Sequence, residues 1–147
     1  MKKRFDKLKE IVHQQISSRR LLKNHLVALY LFGSFARGTE RESSDIDIAF
    51  LFEEAFYKED PFLALQEAEL FSYDISRLSG RSAEPVILNN ASLNFVYTIL
   101  REALCLYERD RSERIKYEVL IDDKYQDFAP FIRGLRDAKE HYVREKG

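Results

Sequence analysis

The sequence predicts a small α/β fold, in which a sheet is covered by helices mainly on one face. The first observation is an uninterrupted apolar run over residues 26–32, which is typical of a strand buried on both faces. The second is the alternation over residues 45–52, which is typical of a strand with two different faces. The third is the helical spacing of apolar residues before and after these runs. Helices and strands that alternate in this way indicate an α/β class.

The other elements follow from spacing and from glycine and proline. Residues 4–23 predict one amphipathic helix that leads into the first strand. A polar stretch predicts a loop up to Pro61, which suits the first turn of a helix that Gly80 ends. Further along, the pattern predicts a strand at 84–88, a helix at 92–103, a last short strand at 105–107, and a charged helical region at 112–144 that is broken near Pro130. The apolar face of that region is marked by Ile115, Val119, Leu120, Phe128, Phe131 and Leu135.

Length and composition restrict the class of protein. With 147 residues, 45% of them apolar, the chain is long enough for a real core. No repeat, low-complexity segment or linker divides it, so we expect one domain over 1–147, with a core at about 24–108 and a C-terminal helical region at about 111–144. A net charge of −1 gives no general attraction to membranes or nucleic acid, and we expect no direct nucleic-acid partner. The lone Cys105 and the lack of a signal peptide or membrane span predict a cytoplasmic protein.

Two motifs after the first apolar run predict a phosphate and metal site. Gly33 and Ser34 follow the run directly, where backbone amides and a hydroxyl can approach a polyphosphate. Asp45 and Asp47 lie two residues apart on the next predicted strand, so their carboxylates point to the same side. Paired carboxylates near phosphates suit Mg²⁺, which prefers oxygen ligands. Each motif alone is more often a plain turn or strand edge, and their joint order along the chain favours a nucleoside triphosphate site.

Two polar residues near these motifs are further candidates. Arg37 could make a bidentate contact with phosphate, or it could be a surface residue of a short helix. Ser44 could orient Asp45 or contact the nucleotide, and a turn residue is the equally weighted alternative.

The segment from Gly33 to Gly38 and the Ser44-Asp45-Ile46-Asp47 motif resemble the signature of the polymerase-β-like nucleotidyltransferases, and most closely that of their minimal members, the MNT antitoxins. The resemblance is specific over about residues 26–52 and extends to about 108. It implies a small polymerase-β-like palm with a mixed sheet and added C-terminal helices. It also implies that Asp45 and Asp47 are catalytic metal ligands and that Gly33 and Ser34 bind the nucleotide.

The family pattern includes a third carboxylate on the strand that corresponds to residues 84–88. Glu84 occupies the matching position here, where the family usually has Asp. If the strand lies beside the Asp45–Asp47 strand, Glu84 can face the same metal ions. The alternative is an exposed glutamate at a strand start, because no spacing rule fixes this register.

The resemblance further implies an acceptor. MNT antitoxins act on a HEPN ribonuclease toxin encoded beside them, and members transfer AMP from ATP to a tyrosine of that toxin. The expected cofactor is therefore Mg²⁺, the expected substrate ATP and the expected partner a HEPN toxin. Two alternatives stay open: an antitoxin that neutralises by binding alone, and a nucleotidyltransferase that modifies a small molecule.

Overall fold

The computed structural model describes residues 2–41 and 44–146, and its centre is a four-stranded mixed sheet. The spatial order of the strands is β3-β2-β1-β4, in which β1 pairs antiparallel with both β2 and β4, and β2 pairs parallel with β3. The strands span Leu26–Phe32 (β1), Ile46–Phe52 (β2), Ala83–Ile87 (β3) and Leu104–Glu108 (β4). The mixed sheet agrees with the predicted fold class, and the short last strand is present.

Seven helices and one short 3-10 turn at Leu88–Asn90 connect and cover the strands in the described part of the chain. Their bounds are Lys2–Ser17 (α1), Arg20–His25 (α2), Ser34–Arg37 (α3), Glu54–Glu59 (α4), Pro61–Ser79 (α5), Leu93–Glu102 (α6) and Arg111–Lys146 (α7).

Two predictions about the first half of the chain were wrong. The single helix expected at 4–23 is divided into α1 and α2, because Ser17 and Ser18 turn their hydroxyls onto carbonyls of the last turn of α1. The loop expected before Pro61 contains α4, whose ring of Phe56 stacks on His25 with centroids 4.3 Å apart. A short helix with few apolar residues produces a weak periodic signal, so tertiary contacts of this kind decide its formation.

The sheet is covered on both faces. On one face, Ile48 and Phe50 of β2 pack with apolar residues of α1, α2 and α5. On the other face, Ala49 and Leu51 pack with α6 and with Ile121 of α7. Helices α1 to α5 thus lie on the first face, in agreement with the expectation of helices mainly on one face, and α6 with the first half of α7 covers the second. The alternation predicted for β2 is observed.

The last helix differs most from expectation. It runs 36 residues without a break, and Pro130 lies inside it. Proline removes the hydrogen bond to the carbonyl of Gln126, and that position is exposed, so water can satisfy the carbonyl. Tyr117 and Ile121 pack against the body, whereas the six residues predicted as the apolar face are 44–62% exposed. Within the described residues, no helix has both the length and the apolar character to cross a membrane.

Candidate active site

The predicted phosphate-binding turn lies where β1 meets β2. Phe32, the last residue of β1, pairs with Asp47 of β2, so the turn that follows Phe32 lies next to the Asp47 carboxylate. Gly33 adopts φ 75° and ψ −153°, a conformation that is essentially restricted to glycine. Ser34 then begins α3, a helix of four residues. The structure thus brings the two sequence motifs together at one end of the sheet.

Contact between Gly33 and Asp47 is close. A Cβ atom built on Gly33 would lie 2.2 Å from Oδ2 and 3.1 Å from Cγ of Asp47. Any side chain at position 33 would therefore displace the carboxylate. The glycine is required here for its backbone conformation and also for the space that it leaves beside Asp47.

Register places a second carboxylate beside Asp47. In the parallel pairing of β2 with β3, Asp47 lies next to Glu84, and Ala49 lies next to Val86. Neighbouring residues of paired strands point to the same face, so Glu84 and Asp47 share the face covered by α6. This register is the one that the third-carboxylate interpretation requires. Asp45 precedes β2 and is exposed.

The electrostatic environment of Asp47 reflects this crowding. Burial raises the pKa of Asp47 above its ordinary value, and the negative charges of Asp45 and Glu84 raise it further. Arg37 acts in the opposite direction on the same pKa. A carboxyl group that is surrounded by like charges gains from a nearby cation, and the donors are all oxygen atoms, which fits a hard divalent metal.

The three carboxylates are nevertheless spread apart. In the part of the chain that the structure describes, no three His, Cys, Asp or Glu side chains are gathered closely enough to hold a metal ion. The oxygen donors and the strand register fit a divalent metal, but the side chains of Asp45, Asp47 and Glu84 do not point to one common position in this structure. Because Asp45 and Glu84 are exposed, their side chains can turn about their side-chain bonds without disturbing the core.

Arg37 lies at the rim of the turn. Its Nη1 donates a hydrogen bond to Oε1 of Glu102, at the end of α6, over 3.0 Å. The two side chains are 49% and 39% exposed, so the ion pair is weak and easily exchanged for another partner. The positive charge of Arg37 also lowers the pKa of Asp47.

Ser44 has a local role in the structure. Its hydroxyl accepts a hydrogen bond from the backbone N–H of Arg41 at 2.7 Å, and its own N–H donates to the Arg41 carbonyl at 3.0 Å. These two bonds join Ser44 to Arg41 just before Asp45. The contacts favour the turn-residue interpretation of Ser44 over direct contact with nucleotide.

Sequence reasoning missed one side chain near the site. Arg81 lies in the loop before β3 and donates from Nη1 to the carbonyl of Arg41 at 2.7 Å. No spacing rule connects position 81 with position 41, so the sequence alone carries no signal for this contact. It becomes visible only once β2 and β3 are paired.

A large open groove lies elsewhere in the described part of the chain. It has a volume of about 910 Å³ and lies at the C-terminal end of β2, between α6 and α7, where Leu51, Val96 and Tyr117 contribute to its walls. None of the predicted site residues lines it. The carboxylates and the glycine turn therefore lie at the opposite end of the sheet, where Asp45 and Glu84 are exposed.

This geometry, a glycine turn against one carboxylate of a strand with a second carboxylate on the neighbouring parallel strand, is that of a nucleotidyltransferase palm. The family model described as "Polymerase beta, Nucleotidyltransferase" matches residues 14–112. The match covers more than half of the chain and all of the sheet, so the protein belongs to the polymerase beta nucleotidyltransferase family. No curated protein is similar enough in sequence to count as a match.

Solved structures have the same fold. A chain of a toxin–antitoxin complex with AMP-PNP aligns with a TM-score of 0.58 at 21% identity, over 82% of this chain and 94% of that one. A chain from the complex of a tri-AMPylated HEPN toxin of Shewanella oneidensis with an MNT antitoxin aligns with a TM-score of 0.59 at 18% identity, over 90% and 98%. A chain of the MntA-HepT toxin–antitoxin complex aligns with a TM-score of 0.58 at 17% identity, over 95% and 99%. At these identities the likeness establishes the fold.

Proposed function

We propose that this protein is a nucleotidyltransferase antitoxin that transfers AMP from ATP to a hydroxyl group, most readily a tyrosine, of a HEPN ribonuclease toxin. The observation that carries the proposal is the contact of Gly33 with the Asp47 carboxylate, at a point where Glu84 is in register. Family membership and the fold shared with chains of toxin–antitoxin complexes support it.

Each residue of the site has an assigned task in the proposal. Gly33 and Ser34 bind the triphosphate through backbone amides and the hydroxyl, and Arg37 exchanges Glu102 for a phosphate oxygen. Asp45 and Asp47, with Glu84, hold Mg²⁺, which neutralises the phosphates and lowers the pKa of the attacking hydroxyl when bound. Ser44 keeps its hydrogen bond to Arg41 just before Asp45.

The reaction is a substitution at the α-phosphorus of ATP. The tyrosine oxygen forms a new bond to this phosphorus, and the bond to the bridging oxygen of the β-phosphate breaks. Pyrophosphate leaves and the phenolic proton passes to solvent. Positioning and charge stabilisation supply most of the catalysis in such transfers. The exposure of Asp45 and Glu84 leaves them accessible to a protein acceptor.

The second half of α7 is the surface that we assign to the toxin. We define the arm as residues 126–146 of α7. It follows Tyr125, whose ring stacks on the ring of Tyr97 with centroids 3.6 Å apart. Phe128, Phe131 and Leu135 are 51%, 62% and 57% exposed, and their spacing of three and four residues aligns them in one stripe. An exposed apolar stripe on a helix suits packing against the helices of a HEPN protein.

Intact mass spectrometry tests the transfer. The chain is co-expressed with the product of the neighbouring gene, once as wild type and once as Asp47→Asn, which keeps the shape of the side chain and removes its charge. We expect the partner's mass to rise by whole AMP units with wild type alone. Measuring how tightly both proteins bind AMP-PNP with Mg²⁺ shows whether the variant has lost nucleotide binding or only the AMP transfer.

The same experiment separates the alternatives. A partner that stays unshifted, co-purifies and is neutralised would indicate an antitoxin that acts by binding alone. The spread arrangement of the carboxylates is the observation that keeps this candidate open. Nucleotide incorporation into a small acceptor in the absence of any partner protein would indicate the small-molecule alternative.

The arm has its own test. Phe131→Glu places a charge in the stripe and is expected to abolish co-purification with the toxin. Phe62→Glu is the control, because Phe62 is 83% exposed on α5, outside the arm. Equal retention of the toxin by both variants would exclude the arm as the contact surface.

A further inference from the structure

One side chain contacts both parts of the candidate site. The guanidinium of Arg81 donates from Nη1 to the backbone carbonyls of Arg41 at 2.7 Å and Ser44 at 3.4 Å. Its Cζ lies 4.9 Å from the centre of the Phe35 ring, within the range of a cation–π contact. Phe35 belongs to α3, which carries the phosphate-binding turn, and Ser44 lies directly before the first carboxylate. Arg81 therefore joins two segments that the sequence separates.

The base of Arg81 is itself anchored. Its backbone N–H donates to the Ser79 hydroxyl at 3.2 Å, at the end of α5. The neighbouring Ser82 carbonyl accepts a hydrogen bond from Ile46, the first residue of β2, at 2.7 Å. The guanidinium thus extends from a fixed point where α5, β2 and β3 meet.

The contacts require the chemistry of arginine. A planar guanidinium has several N–H donors in its plane and a face that stacks on aromatic rings, so it can contact carbonyls and a ring at once. Lysine carries the same charge with a compact ammonium group, and glutamine has neither the charge nor the stacking face. Substitutions at position 81 can therefore separate charge from geometry.

We infer that Arg81 is a positioning residue that fixes the distance between the phosphate-binding turn and the carboxylates, and so couples nucleotide binding to divalent-metal binding. The inference rests on the proposed function, because it concerns the same site. A nucleotide whose phosphates lie on the turn reaches the carboxylates through the metal, so the two segments must keep their spacing. Loss of Arg81 then weakens the metal-dependent part of nucleotide binding.

The experiment measures AMP-PNP affinity over a range of Mg²⁺ concentrations in wild type, Arg81→Gln and Arg81→Lys. Arg77→Gln is the control, since Arg77 is an exposed arginine of α5 that pairs with Asp74. We expect Arg81→Gln to raise the Mg²⁺ concentration for half-maximal nucleotide binding about 10-fold, as loss of outer contacts to metal ligands does. Arg81→Lys should recover part of the loss, and Arg77→Gln should match wild type.

Two results would overturn the inference while leaving the proposed function intact. One is an Arg81→Gln protein with the wild-type Mg²⁺ dependence. The other is an affinity loss of the same factor at every Mg²⁺ concentration, which a general loosening of the fold would produce. Wild type that binds no AMP-PNP with Mg²⁺ overturns the proposed function and the inference together. If Arg81→Gln does not fold, Arg81→Lys, with a smaller expected shift in the same direction, decides.

Discussion

Gly33 has no side chain, and the Asp47 carboxylate occupies the space where a side chain at position 33 would lie. The Cβ that Gly33 lacks would lie 2.2 Å from Oδ2 of Asp47, and Gly33 also has a φ of 75°. These two requirements, space and backbone conformation, can be tested separately because Gly80 has the same φ and no atom within 4 Å of its built Cβ.

Gly33→Ala is expected to abolish AMP-PNP binding and to lower the free energy of unfolding by about 1–3 kcal/mol, because the methyl group adds a clash to the backbone strain. Gly80→Ala carries backbone strain of about 1 kcal/mol and should bind nucleotide normally. Thermal denaturation and titration calorimetry on both variants measure the two effects. Wild-type binding by Gly33→Ala would remove the turn from the phosphate site.

Glu84→Gln tests the third carboxylate. If Glu84 is a metal ligand, the variant should need at least ~10-fold more Mg²⁺ for half-maximal AMP-PNP binding. Without divalent cations, its stability should rise slightly, because the charge of Glu84 raises the pKa of Asp47 and opposes its ionisation.

Glu69→Gln, at an exposed position of α5 on the opposite face of the sheet, is the matched control. Unchanged Mg²⁺ dependence in Glu84→Gln would make Glu84 an ordinary exposed glutamate at the start of β3.

The ion pair of Arg37 with Glu102 predicts opposite changes in AMP-PNP affinity when one or the other residue is substituted. Glu102→Gln removes the partner that holds Arg37, and because exposed ion pairs are weak, AMP-PNP affinity should rise only about twofold. Arg37→Gln removes a charge-assisted contact with phosphate and should lower the affinity about 10-fold. Isothermal titration of the two variants at low salt measures both. A fall in affinity in Glu102→Gln would mean that Glu102 itself contributes to the site.

Tyr30 predicts a loss of stability at alkaline pH. Its hydroxyl donates to Oε1 of Glu118 at 3.0 Å, and burial, followed by the charge of Glu118, raises the pKa of Tyr30 well above 10. The folded protein therefore retains a proton that the unfolded chain releases near pH 10, so this contribution to stability is present below pH 10 and declines as the pH rises further.

Tyr30→Phe should cost about 1 kcal/mol at neutral pH through the lost hydrogen bond, and should flatten the decline of stability above pH 10. Urea denaturation from pH 7 to 11 gives both quantities. Tyr73→Phe, at a tyrosine that is 67% exposed, removes a phenol without a buried contact and serves as the control. An equally steep decline in Tyr30→Phe would assign the alkaline sensitivity to other groups.

The central strands could be predicted because burial dominates their sequence. An apolar run and an alternating run predict β1 and β2, and the antiparallel pairing of these strands brings the two motifs at their ends together. The short helix α4 was missed because six residues with mixed polarity carry too little periodicity, and its ring contact with His25 is tertiary.

Two other features depend on solvent exposure and on strand pairing, which cannot be read from the sequence. Pro130 was expected to break the last helix, but an exposed position lets water replace the lost hydrogen bond. Arg81 donates a hydrogen bond to the carbonyl of Arg41, forty residues earlier in the sequence, and only the pairing of β2 with β3 brings the two residues together. The metal-binding roles of Asp47 and Glu84 stay predictions that the variants above test, and the metal-binding role of Asp45 stays a prediction.

The 36-residue α7 spans about 54 Å, and every described side chain beyond Tyr125 is exposed except that of Ala129. The family match ends at residue 112, before the arm begins. The candidate site and the arm thus occupy different stretches of the chain. Under the proposed function, transplanting the arm between homologues should exchange their recognition surfaces and leave each candidate site as it was.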